Sequence, residues 1–116
     1  MLFRSTILKA AFDGSFLFTS LTDGSIQVAS EDGFSLVPYD GDTSKITING
    51  EINKLASNIG VGRDWAGIHW RSDYEWGLKL GEAAAISLLR DQANNYAGED
   101  FEGFTITKFD GTTITV

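Results

Sequence analysis

The stretch from Asp73 to Asn94 constrains this chain more than any other. It contains no proline, and its apolar residues do not form one stripe. At helical spacing, Trp76, Leu80, Ala83, Ala84 and Ser87 share one face, while Leu78, Ala85, Leu88 and Leu89 share another. A helix that is apolar on most sides is normally packed on most sides. Gly81 and the run Ala83-Ala84-Ala85 offer small side chains past which neighbours can approach closely. Asp73 reads as its N-cap, Glu75 sits in the first turn and Arg90 lies near the end, as the helix dipole favours. The chain has only 116 residues, so few other helices are available to cover both faces.

Residues 1–12 read as a short helix with Ile7, Leu8, Ala11 and Phe12 on one face. It starts abruptly, with apolar side chains at once and no capping residue, as the end of a longer helix does. Residues 13–46 change character. Asp-Gly pairs at 13–14, 23–24, 32–33 and 40–41 mark tight turns, so an irregular loop with one or two short strands is expected. Their near-regular spacing lacks the glycine-rich nonapeptide or EF-hand pattern, and turns account for them better than a calcium-binding repeat. The region 47–94 is expected to be helical. Its first helix spans Thr47 to Gly60, capped by Thr47 or Asn49, with Ile52, Leu55, Ala56 and Ile59 on one face and Gly60 and Gly62 ending the pattern. Residues 101–116 alternate around Asp110-Gly111 and predict a β-hairpin. The chain thus reads as a single partial domain, mainly α, a fragment of a helix bundle with a Gly-rich loop and a C-terminal hairpin.

Composition excludes several classes. There is no cysteine, hence no disulfide framework, thiolate zinc site or cysteine nucleophile. One histidine, His69, rules out a multi-histidine cage or a two-histidine acid–base pair from this chain alone. The formal charge of -7 repels phosphates, and no lysine/arginine run offsets it, so neither nucleic acid nor an anionic membrane surface is an expected partner. Met1 to Phe12 is too short to span a bilayer or to serve as a signal peptide. The chain as written is expected to be soluble and, by default, cytoplasmic.

One constellation carries chemistry. Gly60 to Asp73 contains the spacing Arg63-x5-His69-x3-Asp73. Residues four apart on a helical turn face one way, so Asp73 can accept from one imidazole nitrogen of His69 and leave the other free as nucleophile or oxyanion ligand. Arg63 supplies a planar fork for two oxygens of a phosphate-like anion. The glycines expose backbone N–H groups that could point at the same anion. A lone histidine between Ile68 and Trp70 is also what a half-buried, structural histidine looks like, and spacing alone does not separate the two readings.

This segment resembles the third signature of the vanadium-dependent haloperoxidase and type 2 phosphatidic acid phosphatase superfamily, Ser-Arg-x5-His-x3-Asp. Gly62 stands where the signature has serine, while Arg63, His69 and Asp73 match. The run Ala66 to Asp73 is similar to bacterial haloperoxidase-like members, as are Glu51 to Ala56, Gly77 to Glu82, Phe101 to Phe104 and Phe109 to Gly111. The resemblance implies that His69 bonds vanadate, or attacks phosphorus in a phosphatase. It also implies that Arg63 binds equatorial oxygens and that Asp73 orients the histidine. The implied cofactor is vanadate, or phosphate if a phosphatase. The implied small partners are hydrogen peroxide and halide, or a phosphate ester. The other two signatures, Lys-x6-Arg-Pro and Pro-Ser-Gly-His, are absent. The chain therefore resembles only the C-terminal portion of such a protein, and is expected to be inactive alone. Self-association or a missing N-terminal part is expected to cover its apolar faces. A non-catalytic remnant or interaction domain is the alternative.

Overall fold

The structure is a computed structural model that describes residues 2–21, 23, 25–96, 98 and 100–116. The elements in order are α1 (Leu2–Ala11), a 3₁₀ turn (Phe18–Leu21), β1 (Gln27–Ala29), β2 (Leu36–Pro38), α2 (Ile48–Trp65), α3 (Arg71–Asn95), β3 (Thr105–Thr107) and β4 (Thr113–Thr115). The chain is mainly α with a C-terminal hairpin, as its sequence predicts. No helix is long and apolar enough among the described residues to cross a membrane.

The core lies where α1, α3 and the C-terminal hairpin meet. Ile86 and Leu89 of α3 pack with Ile106 of β3, and Ile7, Ala10, Phe104, Ile114 and Val116 close around them. Of the two apolar faces of α3, the one carrying Ala85 and Leu89 is buried here, but Leu88, expected with them, is 51% exposed and lies on the side of Trp76 and Leu80. Strands β3 and β4 pair antiparallel, with Ile106 opposite Ile114. Their turn is built by Asp110, whose carboxylate accepts from the Thr112 N–H and hydroxyl and from the Lys108 ammonium, with Gly111 at φ 85. Charged and hydrogen-bonded donors at this carboxylate hold its pKa far below the usual carboxylate range.

The hairpin is fastened to α3 and α1 by a polar junction. The Phe109 N–H donates to Glu82 Oε2 at 2.7 Å, and the ammonium of Lys9 lies 3.6 Å from the centroid of the Phe109 ring. Lys9 is 2% exposed, and burial lowers its pKa, opposed by the charges of Glu82 and Asp110.

The 13–46 segment holds a 3₁₀ turn and two short strands joined by irregular backbone. Strands β1 and β2 pair antiparallel around the Asp32-Gly33 turn, with Gly33 at φ 74. Both strands are exposed along their length, a ribbon in solvent rather than part of the core. The predicted 23–24 turn and the helix start at Met1 involve Gly24 and Met1, which lie outside the described residues. Backbone bonds from Asn49 N–H to Gly14 O, from Ile48 N–H to Phe16 O and from Phe18 N–H to Ile46 O pin this segment to the start of α2.

Helix α2 begins as expected, with Thr47 Oγ1 accepting from the Gly50 N–H at 3.1 Å. It does not end where the sequence places its stop. Gly60 and Gly62 lie inside it. A Cβ at Gly60 would collide with the Tyr74 ring, so this glycine is a seat for a side chain of α3 and not a breaker. The real stop is Gly67, at φ 69. Its N–H bonds Asp64 O, and the Ile68 N–H bonds Arg63 O. That is a Schellman ending, which closes the last carbonyls of a helix by a left-handed residue for which glycine is favoured.

Candidate functional site

The late stop of α2 decides where the motif residues go. Arg63 lies in the last turn of α2, four residues before the reversal at Gly67. His69 sits in the short connection that follows, and Asp73 falls in the first turn of α3. The two helices are stitched together just behind this connection. The Tyr74 ring rests against Gly60, and its hydroxyl donates to Ser57 Oγ at 3.2 Å.

Arg63, His69 and Asp73 line one cleft of about 420 Å³, together with Ile59, Gly60, Asp64 and Tyr74. The sequence spacing therefore does bring the three side chains together. Asp73 is not the N-cap that the sequence suggests. Trp70 holds that position, and Asp73, three residues on, accepts the Trp70 N–H on Oδ2 at 3.1 Å. This is one arm of a capping box, and it fixes the carboxylate at the mouth of the helix. The same Oδ2 lies 3.5 Å from Nδ1 of His69. That distance is long for a hydrogen bond but close enough for charge attraction when the ring is protonated. Nδ1 is turned to the carboxylate, so Nε2 is the nitrogen available to a ligand. Both side chains are about half exposed, so the histidine is not packed away as a core residue.

Among the described residues, no carboxylate is within ion-pair distance of the Arg63 guanidinium. The backbone donors expected from the glycines are a different matter. Gly60 and Gly62 are inside α2, where N–H groups are spent on carbonyls four residues back, and they offer nothing to an anion.

Two residues of the cleft are missed by sequence reasoning, Asp64 and Tyr74. Asp64 is partly buried, and its Oδ1 has no hydrogen-bond partner. The signal was present. Ile59, Gly60, Arg63 and Asp64 share a helical face, but ending the helix at Gly60 hid it. Among the described residues, no three histidine, aspartate or glutamate side chains are grouped to hold a metal cation.

Over 111 residues, 96% of its length, the chain is 41% identical to a protein named vanadium-dependent bromoperoxidase from Corallina officinalis, and equally to one from Corallina pilulifera. A third of that name, from Ascophyllum nodosum, is 38% identical over 92 residues. The chain is similar to a segment of vanadium-dependent bromoperoxidases. It spans about a sixth of the length of these relatives, 16–17%. The haloperoxidase resemblance read from Arg63, His69 and Asp73 stands on this similarity. No protein-family model matches the chain, and no solved structure matches it.

The cleft can be tested against vanadate on its own residues. An exposed imidazole nitrogen and an unpaired guanidinium are the right donors for an oxyanion ligated by one histidine. The charge is not right. Arg63 is one positive group against the carboxylates of Asp64 and Asp73, which line the same cleft. The residues present fit the ligating part of a vanadate site and do not neutralise the anion.

Proposed function

We propose that this chain acts as the C-terminal portion of a vanadium-dependent haloperoxidase-like protein, forming one wall of its oxyanion site. The observation that carries the reading is the convergence of Arg63, His69 and Asp73 on one cleft, in a segment 41% identical to bromoperoxidases. His69 presents Nε2 to the anion. Asp73 holds the ring by Nδ1 and is itself held by the Trp70 N–H. Arg63 binds two oxygens with its fork. Vanadate bound at such a site would activate hydrogen peroxide to oxidise halide. The charge deficit in the cleft means that further cationic groups from outside these 116 residues must complete it. A phosphatase would use the same residues, and the named relatives favour the peroxidase.

His69 is the only histidine, so its ring signals in an NMR spectrum need no assignment. Vanadate titrated into the protein should move them with weak affinity. Arg63→Lys should abolish the shift within the accessible range. Asp73→Asn should weaken it about tenfold or more, the usual cost of losing a partner that orients a ligand. Asp64→Asn should strengthen binding, because it removes one like charge from the lining of the cleft. His69 signals that stay fixed at millimolar vanadate would overturn the reading. Bromination of an indicator dye by the isolated chain with vanadate and peroxide should be absent or very slow, because the chain has no second histidine for acid–base work and too little positive charge for the anion.

A further inference from the structure

Five Asp-Gly pairs occur in the chain, at 13–14, 23–24, 32–33, 40–41 and 110–111, and one Asn-Gly pair at 49–50. An aspartate followed by glycine is chemically labile, because the glycine has no Cβ to hinder its amide from approaching the preceding carboxyl. Attack there closes a five-membered succinimide ring. Two features of a folded chain suppress it. A carboxylate held by hydrogen bonds cannot turn to the amide and stays ionised, and an amide whose N–H is bonded elsewhere keeps its nitrogen in place. Gly24 lies outside the described residues, so four Asp-Gly pairs can be compared.

Three of the four are guarded. Asp13 Oδ1 accepts from the Ser15 hydroxyl at 2.6 Å and the Ser15 N–H at 3.0 Å. Asp32 Oδ1 accepts from the Ser30 hydroxyl and the Phe34 N–H, and the Gly33 N–H donates to Ser30 O at 2.9 Å. Asp110 holds the Lys108 ammonium and the N–H and hydroxyl of Thr112, while the Gly111 N–H donates to Lys108 O at 3.1 Å. These donors, led by Ser15, Ser30 and Lys108 respectively, lower the pKa of the three carboxyls. The neutral acid, the form that can lose its hydroxyl as water, is therefore scarce at these positions at pH 7. Asn49-Gly50 is guarded by helix geometry, since the Gly50 N–H is spent on Thr47 Oγ1 and the Asn49 N–H on Gly14 O.

Asp40-Gly41 has neither guard. Among the described residues, no hydrogen bond or ion pair engages the Asp40 carboxylate, and the Gly41 N–H donates to no acceptor. Both residues are exposed, in irregular backbone just past β2. We propose that Asp40 is a modification site of this chain, where the main chain isomerises through a succinimide to isoaspartate. The Gly41 nitrogen bonds to Cγ of Asp40 and gives up its proton, the carboxyl gives up its hydroxyl, and one water leaves. Water then opens the ring at either carbonyl. Opening at Cγ restores aspartate. Opening at the α-carbonyl carbon leaves the chain running through Cβ and Cγ, with a free α-carboxylate. No atom is gained or lost overall, and no oxidant or cofactor is needed. The product is the substrate class of an isoaspartyl methyltransferase, which esterifies that α-carboxylate with a methyl group from S-adenosylmethionine. The chemistry is confined to residues 40 and 41 and is independent of the oxyanion reading.

The test is to age the protein in warm buffer at pH 7, once folded and once in denaturant. Peptide mapping with electron-transfer fragmentation tells isoaspartate from aspartate at each pair, and methyl uptake with an isoaspartyl methyltransferase reads the product independently. In the folded protein, isoaspartate should accumulate at residue 40 about fivefold or more faster than at 13, 32 or 110, the worth of roughly one hydrogen bond at each guarded pair. In denaturant the four rates should converge, because the guarding bonds are gone. Asp40→Glu should abolish the product at residue 40 and lower methyl uptake, with an unchanged circular dichroism spectrum, because the carboxylate it lengthens is exposed and makes no bond. Absence of isoaspartate at residue 40, equal ageing of the four pairs in the folded protein, or faster ageing at 13, 32 or 110 would overturn the proposal. So would the same ranking kept in denaturant, which would trace the difference to neighbouring sequence and not to the fold.

Discussion

The two ends of α3 do different work. Its C-terminal half buries Ala85, Ile86 and Leu89, with Ile86 and Leu89 packed on α1 and the hairpin. Its N-terminal half carries Asp73 and Tyr74 at the cleft, and Trp70 at its start and Trp76 in its second turn are 80% and 68% exposed. One helix is thus a core element at one end and a presenting surface at the other. Stability and chemistry can be altered separately, because the groups that supply them are not shared.

Four substitutions probe that division. The largest effect is expected at Ile106, 1% exposed at the centre of the core. Ile106→Ala should cost about 2–5 kcal/mol of stability in denaturant unfolding. An equally apolar truncation, Leu80→Ala, should leave the unfolding of the monomer almost unchanged. If the two cost the same, Leu80 is packed within the chain and the division fails.

A smaller loss is expected at Gly67. Its φ of 69 is the left-handed region, where a Cβ costs about 1–2 kcal/mol. Gly67→Ala should therefore unfold more easily by that amount. It should also disturb the NMR signals of His69 while leaving those of Ile106 in place. A variant that perturbs both ends equally would show that the cleft and the core are coupled.

The smallest effect concerns the core's own buried charge. Burial lowers the pKa of Lys9 in the folded chain below its ordinary 10.5. The folded state thus holds this proton less tightly than the unfolded state, and the cost of burying the ammonium is present at neutral pH. Stability from this group should rise as pH climbs from the folded pKa towards 10.5. Lys9→Met should lack that rise and be at least as stable at pH 7. Comparing the two proteins by thermal melts from pH 7 to 10.5 cancels the other titrating groups.

Where the chemistry is local, the sequence was sufficient. Asp110-Gly111 makes its turn with bonds to Lys108 and Thr112, Thr47 caps α2 with its own hydroxyl, and Arg63, His69 and Asp73 meet because they lie within eleven residues of one another. The decisions taken by distant partners were not legible. Gly60 reads as a breaker until Tyr74, fourteen residues later, is seen packed on it. Asp64 carries no signal until α2 is known to continue past Gly60 and place it in the cleft wall. The two apolar faces of α3 are visible as a pattern, but periodicity cannot say which one a chain of this size will cover. The core chose Ile86 and Leu89, because α1 and the hairpin could reach that side, and Trp76, Leu80 and Leu88 were left in solvent. Burial depends on which surfaces arrive from elsewhere in the chain, and that is settled only when the elements pack.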